Sequence, residues 1–144
     1  MVGLTLAINY AISGLEPWSY HVVNVVSHIA AALALFAFLR RALERIIPGG
    51  NSKPVAWAVA LLWLLHPLPT QTVDYVIQRS GSMMGLFFLL TCYCLERAFD
   101  SDHDLRIRTR WYIAAVSSCV LSAGCKQVAA AIPVLALLYD RSFV

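Results

Sequence analysis

Few polar side chains interrupt this apolar sequence, and those that could do chemistry stand beside uncharged runs. They are two cations, three histidines and an amide: Arg79, Lys126, His21, His28, His66 and Asn24. Arginine makes forked contacts to phosphate oxygens, and lysine acts as a point charge. The set therefore suits an anionic ligand that carries a phosphate, if the fold brings these residues to one place.

Other kinds of chemistry find no support in the spacing. His21 and His28 lie two helical turns apart, too far to share a metal ion unaided, and no H-E-x-x-H pattern is present. The sequence contains no nucleophile elbow, Walker loop or dinucleotide fingerprint. Its four cysteines form no C-x-x-C pair and are interpreted as small apolar fillers. No metal and no cofactor is indicated.

The composition determines which elements must position these residues. Of the 144 residues, 60% are hydrophobic and only 13% are charged, whereas soluble domains contain roughly 25% charged residues. A water-soluble protein of this size could not bury so much apolar surface. The sequence therefore predicts an integral membrane protein, and the same composition excludes a nucleic-acid-binding domain, a disordered tail and a disulfide-stapled secreted module.

The uncharged runs predict the fold class: an all-α, polytopic transmembrane bundle with about five membrane helices. We expect spans at about 20–40, 54–68, 80–97, 109–124 and 126–141. A loop is expected at 48–51, and the last two spans are expected to form a helical hairpin that turns at 124–126. The first thirteen residues are apolar but too short to span. Residues 14–20 are expected to form an interfacial connection, with Trp18 and Tyr20 at the headgroups.

The basic residues set the expected orientation. If the first span runs inward, nine of the 11 Lys and Arg residues lie inside, and only Arg79 and Lys126 lie outside, as the positive-inside rule favours. All six candidate residues, and the acidic Asp74, then fall toward the outer face. His21, Asn24 and His28 lie within about 60° of one another on the first span. The inner charges Asp100, Asp102 and Asp104 are interpreted as a solvated connection.

Each candidate also has a structural alternative. His21 and His28 could hydrogen-bond neighbouring helices, and His66 before Pro67 could end a helix. Arg79 and Lys126 could only anchor helix ends at the interface.

Several ordered motifs carry a family resemblance. They are Tyr20 to His28 (YHVVNVVSH), His66 to Ser80 with its Asp74-Tyr75-Val76-Ile77-Gln78-Arg79 core, Met84 to Thr91, and Ser122 to Gln127. The chain resembles bacterial transmembrane proteins with tetratricopeptide repeats, which are themselves similar to eukaryotic O-mannosyltransferases of the GT-C glycosyltransferase type. The resemblance covers nearly the whole sequence.

The resemblance implies transfer of a hexose such as mannose from a polyprenyl-phosphate carrier to a protein or glycan acceptor at the outer face of the bilayer, in a bacterial inner membrane facing the periplasm. By position, His66, Arg79 and Lys126 would line the site for the carrier phosphate, with His21, Asn24 and His28 nearby. The family's acidic residues after the arginine and the lysine are replaced by Gly81 and Gln127.

The sequence shows neither the acidic first outer loop of GT-C enzymes nor a 34-residue repeat period. We therefore expect a partial membrane domain that lacks the catalytic base and is inactive as an isolated segment. A non-catalytic anchor or scaffold for a repeat domain is the alternative. A small transporter is less favoured, because the polar groups lie at one end and not at the midplane.

Overall fold

The computed structural model describes residues 2–66, 79–100 and 104–125, and the regular structure within these ranges is helical. The helices are α1 (Val2–Ser13), α2 (Pro17–Ile46), α3 (Ser52–Leu65), α4 (Arg79–Asp100) and α5 (Leu105–Ala123). The all-α class is confirmed. The span expected at 126–141 and the residue Lys126 lie outside the described residues.

Two of these helices, α2 and α4, are long and apolar enough to cross a membrane. Helix α2 includes the predicted span 20–40, and helix α4 includes the predicted span 80–97. The second predicted span, 54–68, is represented by α3 of only 14 residues, which ends at Leu65. A five-span bundle is therefore not established by the helices, and the number of spans remains a prediction.

Helix α1 corrects the interpretation of the N-terminal region. The 12 residues from Val2 to Ser13 form a helix, and the chain then turns at Gly14, whose φ of 60° suits a residue without a side chain. Pro17 already opens α2, so Trp18 and Tyr20 belong to a helix and the expected connection 14–20 is confined to three residues. Proline is well suited to a first helical turn because it lacks the N–H that would be unsatisfied there.

Small residues let α3 pack closely against α2. Ala32 of α2 and Ala56 and Ala60 of α3 are all at most 5% exposed. Between the helices, Gly49 takes a φ of 81° in the predicted loop. The two helices are antiparallel, since Phe36 meets Trp57 and His28 meets Trp63, with ring centroids 4.8 Å apart in each pair.

The remaining contacts define two ends of the bundle. Tyr20 of α2 contacts Arg79 at the start of α4, and Arg45 of α2 contacts Glu96 near its end, so these helices run parallel. Helix α5 returns antiparallel to α4, because Tyr93 packs edge-to-face on Trp111 and Ser122 bonds to Met84. We refer to these as the Arg79 end and the Asp100 end.

Candidate functional site

Arg79 is the central residue of the candidate site. Its side chain is fully buried at the first residue of α4. Nε donates to Oδ1 of Asn24 over 3.0 Å, and one terminal nitrogen donates to the carbonyl oxygen of Tyr20 over 3.1 Å. The guanidinium carbon also lies 5.6 Å from the centroid of the Tyr20 ring. Helix α2 therefore fixes the orientation of this cation.

The second terminal nitrogen of Arg79, Nη1, has no hydrogen-bond partner in the described part of the chain, although it is buried. A buried guanidinium N–H without an acceptor is costly, because its hydration is lost and not replaced. This atom is thus the part of the arginine that remains available for an anionic ligand.

The turn between α1 and α2 supports Tyr20. Its hydroxyl donates to the carbonyl oxygen of Gly14 over 2.8 Å. Nearby, the hydroxyls of Ser13 and Ser19 are hydrogen-bonded to each other, and Asn9 of α1 donates to Ser19 over 3.4 Å. These bonds join α1 to the start of α2 and hold the backbone that carries the Arg79 acceptor.

The three candidate histidines have different surroundings in the structure. His28 is 8% exposed, stacks on Trp63 and places Nε2 3.3 Å from the carbonyl oxygen of Leu64. It therefore engages α3, as the structural alternative proposed. His66 is exposed and ends α3 as its C-cap, as its structural alternative proposed, and not inside a helix that continues to 68. His21 is half-buried, one residue after Tyr20.

Of the six predicted residues, the structure brings Asn24 and Arg79 into direct contact. Lys126 and Asp74 lie outside the described residues. The end of α5 lies close to the site, however, because Ser122 is fully buried and its hydroxyl donates to the carbonyl oxygen of Met84 over 3.1 Å. Met84 is five residues, about 7.5 Å along the helix, from Arg79.

An ion-pair cluster at the Asp100 end, built around one buried carboxylate, was missed by the sequence interpretation. Glu96 is fully buried and lies 3.0 Å from Arg45. Arg45 also pairs with Asp100 over 3.2 Å, and Arg41 pairs with the same carboxylate. Asp100 is exposed, as expected of a solvated residue, but it ends α4 and pairs with two arginines of α2 instead of lying in a connection. Asp102 lies outside the described residues. Asp104 instead caps α5 through the backbone N–H of Arg106.

A signal for this cluster was present in the sequence. Arg41 and Arg45 are four residues apart on one helix, and Glu96 and Asp100 are four residues apart on another. Matching spacings of opposite charge place each pair on one helix face.

Ser82 was also missed: it is 9% exposed and its hydroxyl has no partner among the described residues.

Clefts and metal-ligand groups add little to this site. A cleft of about 160 Å³ lies at the turn between α2 and α3, lined by Leu43, Ile47, Gly50, Asn51, Ser52 and Val55. It is at the opposite end from Arg79. Within residues 2–66, 79–100 and 104–125, no three His, Cys, Asp or Glu side chains are grouped so that they could hold a metal ion.

The fold and the relatives together define the class as a helical membrane protein with a buried arginine near one end of its bundle. The chain is 33% identical over 123 residues to "Protein O-mannosyl-transferase tmtc2" of Xenopus laevis, covering 84% of this chain and 13% of the relative. It is 32% identical over 126 residues to the human TMTC2 protein of the same name, covering 87% and 14%. "Protein O-mannosyl-transferase Tmtc3" of Drosophila melanogaster is 25% identical over 153 residues, covering 95% and 16%.

The homologues of this chain are therefore protein O-mannosyl-transferases at modest identity, which supports the expected glycosyltransferase class. The chain spans about one seventh of the length of the frog and human relatives. These relatives are animal proteins and give no support to a bacterial origin or a bacterial inner membrane. No protein-family model matches the chain, and no solved structure matches it.

Proposed function

We propose that this chain forms part of the membrane domain of a protein O-mannosyl-transferase that takes mannose from a polyprenyl-phosphate carrier. The supporting observation is Arg79, a fully buried cation that α2 holds by two hydrogen bonds and that keeps Nη1 without a partner in the described structure. The relatives are named protein O-mannosyl-transferases, which suggests the sugar and the protein acceptor.

In the proposed reaction, cleavage of the bond between sugar and phosphate leaves negative charge on the phosphate. Arg79 would stabilise this charge without reorienting, because Asn24 and Tyr20 already fix its guanidinium. Preorganised cations of this kind act at the charge that develops in the transition state. Lys126 is proposed as the second cation, and His66, His21 and His28 as residues that border the carrier.

The acceptor hydroxyl also needs a base. We assign that base to a part of the enzyme outside this chain, together with the repeat domain. We further propose that the Arg79 end faces the extracytoplasmic side, because the Asp100 end holds most of the basic residues of the described chain: Arg40, Arg41, Arg45, Lys53, Arg97, Arg106, Arg108 and Arg110.

A transfer assay tests this function. Membranes that contain the full-length transferase, of which this chain is proposed to be a part, would be given polyprenyl-phosphate mannose and a protein acceptor, and mannosylated protein would be measured. Arg79→Lys keeps a charge but loses the forked geometry, so we expect a large loss of transfer. Lys53→Ala, an exposed change at the other end, is the matched control. Unchanged transfer by both variants would refute the role of Arg79.

One set of contacts favours the alternative, a membrane anchor without catalytic activity. Asn24 bonds to Arg79 and His28 bonds to Leu64, so polar groups of the candidate site connect helices. An anchor would retain its fold with the polyprenyl-phosphate sugar absent or present. An anchor would show no saturable binding of that donor, whereas a transferase must bind the donor saturably.

A further inference from the structure

Near the Arg79 end, two buried polar atoms of α4 have no hydrogen-bond partner in the described structure. They are Nη1 of Arg79, whose residue is fully buried, and the hydroxyl oxygen of Ser82, whose residue is 9% exposed. Buried polar groups are normally satisfied, and each unsatisfied one requires an explanation such as a missing ligand or water.

The spacing places the two residues together. Arg79 and Ser82 are three residues apart on α4, and side chains at that separation are neighbours on one helix face. Both are buried, so this face is directed into the bundle. By contrast, two other buried hydroxyls have acceptors: that of Ser122 donates to the Met84 carbonyl, and that of Thr91 donates to the Phe87 carbonyl.

The two groups have complementary chemistry. Nη1 can only donate hydrogen bonds, whereas a serine hydroxyl can donate or accept. A charged donor next to a hydroxyl, both removed from water, matches an oxygen atom of an anion. We infer that Arg79 and Ser82 form an oxyanion subsite inside the bundle, in which Ser82 donates to a phosphate oxygen held by Arg79.

This inference rests on the proposed function, because it specifies how the same arginine would hold a phosphate. It adds Ser82, which neither the motifs nor the resemblance assigned, as a binding residue. It also makes a prediction about the empty protein. Since the Ser82 hydroxyl is buried without a partner, its removal should not reduce the stability of the unliganded chain.

Binding to the purified full chain in nanodiscs of phosphatidylcholine provides the test. The probes are citronellyl phosphate, a short prenyl phosphate, and inorganic phosphate, measured by the shift in melting temperature and by titration. We expect Ser82→Ala to weaken the binding of citronellyl phosphate about tenfold, because a hydrogen bond to a charged group is lost. The melting temperature of this variant without ligand should be unchanged or higher.

Ser122→Ala is the matched control, because it removes a buried hydroxyl at the same end that does have an acceptor. We expect it to lower the melting temperature and to leave the affinity unchanged. This opposite pattern separates a ligand role of Ser82 from a general effect of removing a buried serine.

Each other outcome is decisive. If Ser82→Ala weakens the binding of both probes equally, the subsite is supported and recognises phosphate alone. If it weakens the binding of citronellyl phosphate only, the subsite is supported and the prenyl chain is also required. If Ser82→Ala binds as the parent does while Arg79→Gln loses binding, the subsite is refuted and the proposed arginine role stands. If the parent chain binds neither probe, the inference and the proposed function both fail.

Discussion

At the scale of single residues, the contact between Asn24 and Arg79 determines the geometry of the candidate site. The two residues are 55 positions apart and both fully buried. A sequence can show that Asn24 and Arg79 are polar groups in apolar surroundings, which is the reason that both were predicted as site residues. It cannot show that they meet, because that depends on the rotation of α2 and α4 about their axes.

We predict that Asn24→Ala destabilises the chain by about 2 kcal/mol, since it removes the acceptor of a buried, charged N–H. Asn24→Asp should retain most of the stability, because a carboxylate also accepts from Arg79. The free energy of unfolding in detergent micelles measures both. The control is Ser27→Ala on the same helix, whose hydroxyl bonds only within α2, to Val23. Equal effects of Asn24→Ala and Ser27→Ala would contradict the prediction.

The buried carboxylate at the Asp100 end provides a second residue-scale prediction. Glu96→Ala should cost about 3 kcal/mol, because it leaves the Arg45 guanidinium without its fully buried partner. Asp100→Asn, at a carboxylate that is 43% exposed, should cost at most about 1 kcal/mol. Chemical unfolding of the two variants measures these losses in the free energy of unfolding. A larger loss for Asp100→Asn than for Glu96→Ala would show that burial does not determine how much each carboxylate stabilises the chain.

At the scale of elements, the helix positions could be predicted well and their ends less well. Charge-free length predicted α2 and α4, since a run of apolar residues must be helical to satisfy its backbone in a bilayer. The first helix, α1, was not expected because its 12 residues are too short to span. It is instead held by side-chain bonds to Ser19, which sequence patterns do not reveal.

The close packing of α2 and α3 provides an element-scale prediction. Ala56 has no exposed surface, and it lies on the α3 face that includes Ala60. Ala56→Leu should therefore separate the helices and cost about 1–3 kcal/mol. Ala58→Leu, two residues away on the exposed face, should be nearly neutral. Melting temperatures in the same micelle measure the difference, and equal values would show that this helix pair is loosely packed.

At the scale of the whole molecule, the contacts define two ends of one bundle. Ser122 lies at the end that holds Arg79, and Lys53 follows the loop at the other end, where α3 begins. The distribution of arginine and lysine predicted this division before any contact was known, because topology depends on charge outside the spans. The pairing of helices could not be predicted in the same way, since their apolar faces look alike.

The division into two ends predicts opposite accessibility across a membrane. In a variant whose cysteines at 92, 94, 119 and 125 are replaced by alanine, single cysteines would be introduced as Ala123→Cys and Lys53→Cys, both at exposed positions. A membrane-impermeant maleimide applied to intact cells should label position 123 and not position 53. Permeabilised cells serve as the control, in which both positions should be labelled. If intact cells then label both positions or neither, a membrane-spanning bundle in this orientation is contradicted.

The same labelling decides the number of spans, which the described helices do not establish. If the run at 126–141 crosses the bilayer, Gln127→Cys should label from the side of position 123 and Arg141→Cys from the side of position 53. Labelling of both from one side would remove the fifth predicted span. It would not affect the two hydrogen bonds by which α2 holds Arg79. Labelling of position 127 from the side of position 53 would instead separate Lys126 from Arg79, and the proposed pair of phosphate-binding cations would be wrong.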